Sequence, residues 1–144
     1  MNQTTIFDML YPTFKINKPI RLIEFFGGYG SQALALKYLG VKFEHWKLVE
    51  WTVKSIQAYK DIHYTNDDTD YSKDLTTDEV KDYLFQKGIS ANYNDPMTDL
   101  QIKRLSDKQA RTIYNNIIAT NNLVNIQNVK GNDLEIKDTN IYIY

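Results

Sequence analysis

Residues 23 to 40 read IEFFGGYGSQALALKYLG: an apolar run, glycines at positions 27, 28 and 30, then apolar residues at helical spacing. That succession narrows the possible folds sharply. A buried strand that turns tightly and enters a helix is the opening of an α/β unit, and an open, mostly parallel sheet follows from it. Pro19 to Phe26 (PIRLIEFF) suits the strand, being short, rich in Ile, Leu and Phe, and without the alternation of a half-exposed strand. Ala33, Leu34, Leu36, Lys37 and Leu39 give the helix, with Gly40 placed to cap it in a left-handed conformation. HWKLVEW, residues 45 to 51, reads as a second strand, and Val53 to Tyr59 as a second helix starting near Thr52. The crossover is expected to be right-handed.

The chain has 144 residues, enough for one domain and short for an enzyme that must also grip a macromolecule. Seventeen Lys and Arg against 18 Asp and Glu leave a net charge of −1, so no broad basic surface points to nucleic acid. There is no cysteine, which excludes a disulfide framework, a thiolate metal site and a thiol nucleophile within these residues. The N-terminal MNQTTIFDMLYPTF lacks a basic segment followed by an apolar core, and no stretch reaches the roughly 20 apolar residues of a membrane span. A cytoplasmic protein without membrane association is the expectation.

Beyond Tyr64 the composition shifts to Asn, Asp, Thr and Lys. Thr76-Thr77-Asp78-Glu79 fits a capping box before a helix carrying Val80, Tyr83 and Leu84 and ending at Gly88. Ser106-Asp107-Lys108-Gln109 repeats the signal before Ala110, Ile113, Tyr114 and Ile117, which share one face. The reading is one domain in three parts: a βαβα cofactor-binding unit over 1–64, a helical insertion over 65–122 with a loop around NYNDP, and a return to the sheet over 123–144. Strands are expected at Asn125 to Val129 and at Asn140 to Tyr144.

Gly28-Tyr29-Gly30-Ser31-Gln32-Ala33 satisfies the dinucleotide fingerprint with alanine in its last place, and Glu50 stands at the end of the second strand. A P-loop is excluded, since no Gly-Lys-Ser/Thr follows the glycines. A dinucleotide would rest its pyrophosphate on the helix N-terminus, close to Glu24, and a carboxylate there is repulsive. S-adenosylmethionine carries cationic ammonium and sulfonium groups, ribose hydroxyls for an acid, and an adenine for aromatic rings. Phe26 and Trp51, each at a strand end, would supply those rings. A NAD-binding module remains the less favoured alternative.

IEFFGGYGSQALAL resembles the first motif of DNA cytosine-5 methyltransferases, Asp-Leu-Phe-Ala-Gly-x-Gly-Gly, and VEW resembles their second, an acid followed by an aromatic residue. The resemblance implies a partial Rossmann-like methyltransferase sheet that binds S-adenosylmethionine. It implies that Phe26 stacks on the adenine and Trp51 takes the other face. Gly27, Gly28 and Gly30 would lie against the methionine portion, and Glu50 would chelate the ribose hydroxyls. GNDLEI resembles the third motif, with Asp133 accepting from the adenine amino group and Leu134 lining the base. Glu24 replaces an aspartate, Gly27 an alanine and Ser31 a glycine; Ser31 would donate to the ligand carboxylate. The match covers residues 20–63 well and 125–144 loosely.

The family's chemistry requires a cysteine in a Pro-Cys pair after the fourth strand, which attacks carbon 6 of a flipped cytosine. Pro96-Met97 is no substitute, because methionine cannot form the adduct. The resemblance therefore implies an N-terminal cofactor-binding fragment, truncated before its nucleophile near Tyr144, with no catalytic residue of its own and inactive alone. DNA would be the partner of the full-length enzyme and would be bound weakly by this part. The alternative is a non-catalytic interaction or regulatory module derived from a methyltransferase, which would pair with another chain through the insertion helices or an exposed sheet edge; self-association is expected through that same edge. His45 and His63 lack metal-ligand spacing, and Asp67, Asp68 and Asp70 lack the rest of a calcium loop, so no metal site is expected.

Overall fold

The structure, a computed structural model, describes residues 17–137 and 140–144; the N-terminal stretch read for a targeting segment lies outside them. Three parallel strands form one sheet: β1 (Ile20–Phe25), β2 (Glu44–Val49) and β3 (Ile141–Ile143), in the order β2-β1-β3. β1 takes the centre because both of its faces are covered. Leu22, Ile23 and Glu24 are each at most 1% exposed, which is why its sequence shows no polar alternation. The pairing of Leu22 with His45 and then of Ile23 with Lys47 leaves Trp46 as an extra residue, a bulge in β2. The bulge frees the Trp46 ring to receive the Arg21 guanidinium 3.5 Å from its centroid, while its Nε1 donates to the Leu134 carbonyl at 2.8 Å.

The first helix, α1 (Ser31–Tyr38), ends as the sequence indicates: Gly40 is left-handed, and Val41 N to Leu36 O (2.9 Å) with Gly40 N to Lys37 O (3.0 Å) close a Schellman motif. Helix α2 (Val53–His63) follows β2 directly. The intervening segment between β2 and β3 is helical, with α3 (Thr77–Lys87), α4 (Asp99–Lys103) and α5 (Asp107–Ala119). Thr76, Thr98 and Ser106 each open a reciprocal capping box, the middle one on a short helix that its few apolar residues did not announce. These helices share a core with α2: Val80, Leu84, Ile89, Ile102, Ala110, Ile113 and Ile117 close around Ile56. The segment is thus built onto the α/β unit through the outer face of α2.

The expected strand at Asn125 to Val129 is absent. Residues Ile126–Asn128 form a 3-10 turn, because Val124 takes a positive φ of 71° and the Asn125 side chain accepts from Gln127 N at 3.0 Å. Both features turn the chain away from an extended path. The sheet is instead met slightly earlier, where Leu48 N donates to Asn121 O and Leu123 N to Leu48 O, a single parallel bridge on the free edge of β2. The expected strand near the C-terminus is present as β3. No helix among the described residues is long and apolar enough to cross a membrane.

Candidate functional site

The carboxyl ends of β1 and β2 lie side by side, and the turns that leave them diverge to open a cleft of about 580 Å³. This is where open α/β sheets present their ligands, and the volume falls in the range of roughly 300–1,000 Å³ typical of small-molecule sites. One floor contact joins the two turns: Gly28 N donates to Glu50 Oε2 at 3.0 Å. Gly28 holds a φ of 53°, a conformation that glycine adopts without steric cost. Glu50 Oε1 accepts from Thr52 N at 2.8 Å. Each carboxylate oxygen therefore carries one backbone bond and retains acceptor capacity for a ligand, since an ionised carboxylate offers about four lone-pair sites. Glu50 is 8% exposed, and that remaining surface faces the cleft.

The backbone of Glu50 is fixed by a residue the sequence reading passed over. Asn122 Nδ2 donates to Glu50 O at 2.8 Å and Asn122 Oδ1 accepts from Glu50 N at 3.1 Å. The same Oδ1 accepts from Val124 N at 2.9 Å. The amide side chain thus stands where the backbone of a neighbouring strand would be, one step past the bridge at Leu48. Asparagine is the residue that carries a peptide-like donor and acceptor on a short arm.

Aromatic side chains form the walls. Phe26 is 72% exposed with a φ of 54°, a strained setting for a bulky residue at a strand end. Trp51, half-buried, and Tyr29 and Tyr93 line the cleft with it. Val124, Asn125, Ile126 and Gln127 line it as well. Among the described residues no lysine or arginine lines the cleft, and Glu50 is the one formal charge they place there. A ligand bearing a positive centre, vicinal hydroxyls and a flat ring matches this lining. A pyrophosphate does not: the Gly28 amide that would receive it is already given to a carboxylate.

Several residues expected at the ligand lie outside the lining of this cleft. Glu24 is fully buried and turned away from the cleft, with Oε1 accepting from Ala33 N at 3.2 Å and Oε2 from the Tyr59 hydroxyl. It caps the first turn of α1 from beneath, favourable for an anion at a helix N-terminus. Gly30 is required by close packing: a Cβ there would lie 2.1 Å from His63 Nε2 and 2.8 Å from the Tyr59 ring, and φ is 75°. Gly27 packs on Leu48, and Ser31 is exposed, donating to its neighbour Gln32. Asp133 and Leu134 are also outside the cleft. Asp133 Oδ2 accepts from Lys130 N at 2.7 Å and lines a separate depression with Gln86 and Lys87, and Leu134 supports Trp46. Asn125 and Ile126, following the bridge at Asn122, line the cleft. Phe26, Gly28, Glu50 and Trp51 are brought together as expected.

The two histidines, distant in sequence, meet behind the glycine turn with ring centroids 5.1 Å apart. Glu24 can only accept, so the Tyr59 hydroxyl donates to it and in turn accepts from His45 Nδ1 at 2.9 Å. His63 Nε2 faces the Tyr29 carbonyl at 2.9 Å and so carries the proton there, leaving Nδ1 to accept from Lys37 Nζ at 3.0 Å. Burial, with His63 and Lys37 adding repulsion, pushes His45 down to about 4. Burial also lowers His63, and burial together with the bond to Glu24 raises Tyr59 far above its usual range. The network is a scaffold beneath the turn. No group of three His, Cys, Asp or Glu among the described residues is placed to hold a metal ion.

No protein-family profile matches the chain. It is similar to the orphan methyltransferase M.SssI of Spiroplasma monobiae, with 32% identity over 122 residues, covering 84% of this chain and 30% of that protein. The chain thus spans under a third of the length of the curated relative it matches.

Proposed function

We propose that this chain, related to a methyltransferase over most of its length, is the S-adenosylmethionine-binding part of a DNA cytosine-5 methyltransferase. The observation that carries the reading is the Gly28 to Glu50 hydrogen bond across a cleft walled by aromatic rings and, among the described residues, free of cationic side chains. In this reading the free lone pairs of Glu50 accept from the two ribose hydroxyls, and its charge favours a cationic ligand over an anionic one. Phe26 and Trp51 lie on either side of the adenine, offering stacking and the attraction of a ring face for a nearby cation. Asn125 and Ile126 meet the base in place of Asp133 and Leu134.

When bound, S-adenosylmethionine supplies an electrophilic methyl group on a sulfonium. The chain's own residues bind and orient it. Glu24, Tyr59, Gly30 and Asn122 act one step back, holding the glycine turn and Glu50 in place. With no cysteine among these 144 residues, the nucleophile for a cytosine ring comes from outside them, and DNA is the substrate of the whole enzyme.

Titration calorimetry with S-adenosylhomocysteine tests the reading. Saturable binding is expected, not displaced by NAD, and Glu50→Gln should weaken it by about tenfold or more, since a hydrogen bond to a charged group contributes roughly 1.5–3 kcal/mol. Absence of binding, or binding of NAD alone, would overturn it.

A further inference from the structure

Besides the segment from Val124 to Gln127, the cleft has a further wall that neither strand end supplies. Ser90, fully buried at the end of α3's following turn, exchanges backbone bonds with the second motif: Ser90 N donates to Trp51 O at 2.8 Å and Val53 N to Ser90 O at 2.9 Å. The loop after Ser90 is thereby fixed relative to the cleft. Ser90 Oγ then organises it, accepting from Tyr93 N at 3.1 Å and donating to Asp95 O at 2.7 Å, while Asn92 Oδ1 accepts from Asn94 N and Asp95 N.

At the tip of this ordered loop, Tyr93 holds a φ of 68° and is 60% exposed. Bulky residues rarely adopt that backbone region, and they persist in it where surroundings over-determine them, often at ligand clamps. Its hydroxyl lies 3.4 Å from Ser55 Oγ on α2, and both residues line the same cleft as Trp51 and Glu50. A strained, preorganised ring left open on the cleft side is costly for packing alone.

Resting on the cofactor reading above, we propose that Tyr93 is a ligand-contacting wall of the cleft: its ring covers the purine from the insertion side, and its hydroxyl, paired with Ser55, meets the base edge. The helical segment between the second and third strands would then serve nucleoside binding directly.

Tyr93→Gly separates this role from a structural one. Glycine relieves the left-handed strain while deleting the ring, so the melting temperature of the free chain should hold or rise while S-adenosylhomocysteine binds about tenfold more weakly, the scale of one lost base-stacking contact. Tyr93→Phe, which keeps the ring, should bind within about threefold of the parent chain. Tyr93→Gly binding as tightly as the parent would overturn the role of Tyr93 and leave the Glu50 reading standing. A weakened Tyr93→Gly chain that also melts earlier would overturn it too, and a Tyr93→Phe chain as weak as Tyr93→Gly would overturn the part given to the ring. No binding by the parent chain would remove the cofactor reading and this one with it.

Discussion

Asn122 offers the sharpest test of how the cleft is held. Its side chain, 5% exposed, makes three hydrogen bonds, to Glu50 N, Glu50 O and Val124 N. Asn122→Ala removes all three partners at once. Glu50 N and O lie between a sheet edge and a buried helix start, where water has little access. At about 1 kcal/mol net for each bond, the loss is about 3 kcal/mol, and groups left without any partner raise it further. That is a large share of the roughly 5–15 kcal/mol by which domains are stable. Urea unfolding should show a lower midpoint with an unchanged slope, the signature of altered stability without altered compactness. Asn122→Asp makes the complementary case: it keeps an acceptor for the two amides but sets a second acceptor against Glu50 O, and should be at least as damaging. An Asn122→Ala chain within about 0.5 kcal/mol of the parent would refute the idea that this amide substitutes for a missing strand.

Two further outcomes concern the scaffold behind the turn. Tyr59→Phe withdraws the hydroxyl that donates to buried Glu24 and accepts from His45; it should cost about 2 kcal/mol, or roughly 4–8 °C in Tm, and a melt within 1 °C of the parent would contradict the buried network. Stability should also fall on acidification. His45 is held down to about 4 in the folded chain against 6.5 ordinarily, so the unfolded chain takes up a proton that the folded chain refuses. The contribution is intact above pH 6.5 and is lost progressively toward pH 4; His63, also lowered, acts in the same direction. A His45→Asn variant should flatten that slope, measured by Tm against pH, and an unchanged slope would exclude His45 as its source.

What the sequence made legible was whatever is encoded locally. The strand, glycine turn and helix over residues 20–40 follow from a few adjacent residues, and the boxes at Thr76 and Ser106 lie within four positions each. Glu50 and Trp51 were legible because a strand end fixes where its last residues point. The burial of Glu24 was not legible because its partners, Ala33 and Tyr59, are supplied by the folded chain, and a buried acid with two donors looks in sequence like one awaiting a ligand. Asn122 and Asn125 were invisible for the opposite reason. In a segment rich in Asn, nothing local marks which amide replaces a strand and which bends the chain at NIQNV, where the β-branched Ile126 and Val129 imitate a strand. At Gly30 the space a Cβ would need is taken by His63, which the sequence places beyond all of α1 and β2 at the far end of α2.

The three reciprocal boxes that begin α3, α4 and α5 have a kinetic consequence. Each of those helices closes its first turn through neighbours in sequence, whereas β1 meets β3 only across the span from Ile20 to Ile141. Loop-closure entropy falls on the second kind of contact and scarcely on the first. The insertion therefore matures ahead of the sheet it interrupts, and its compaction shortens the effective tether between the outer strands. Hydrogen exchange pulsed during refolding would show amides of α3 and α5 protected before those of β3.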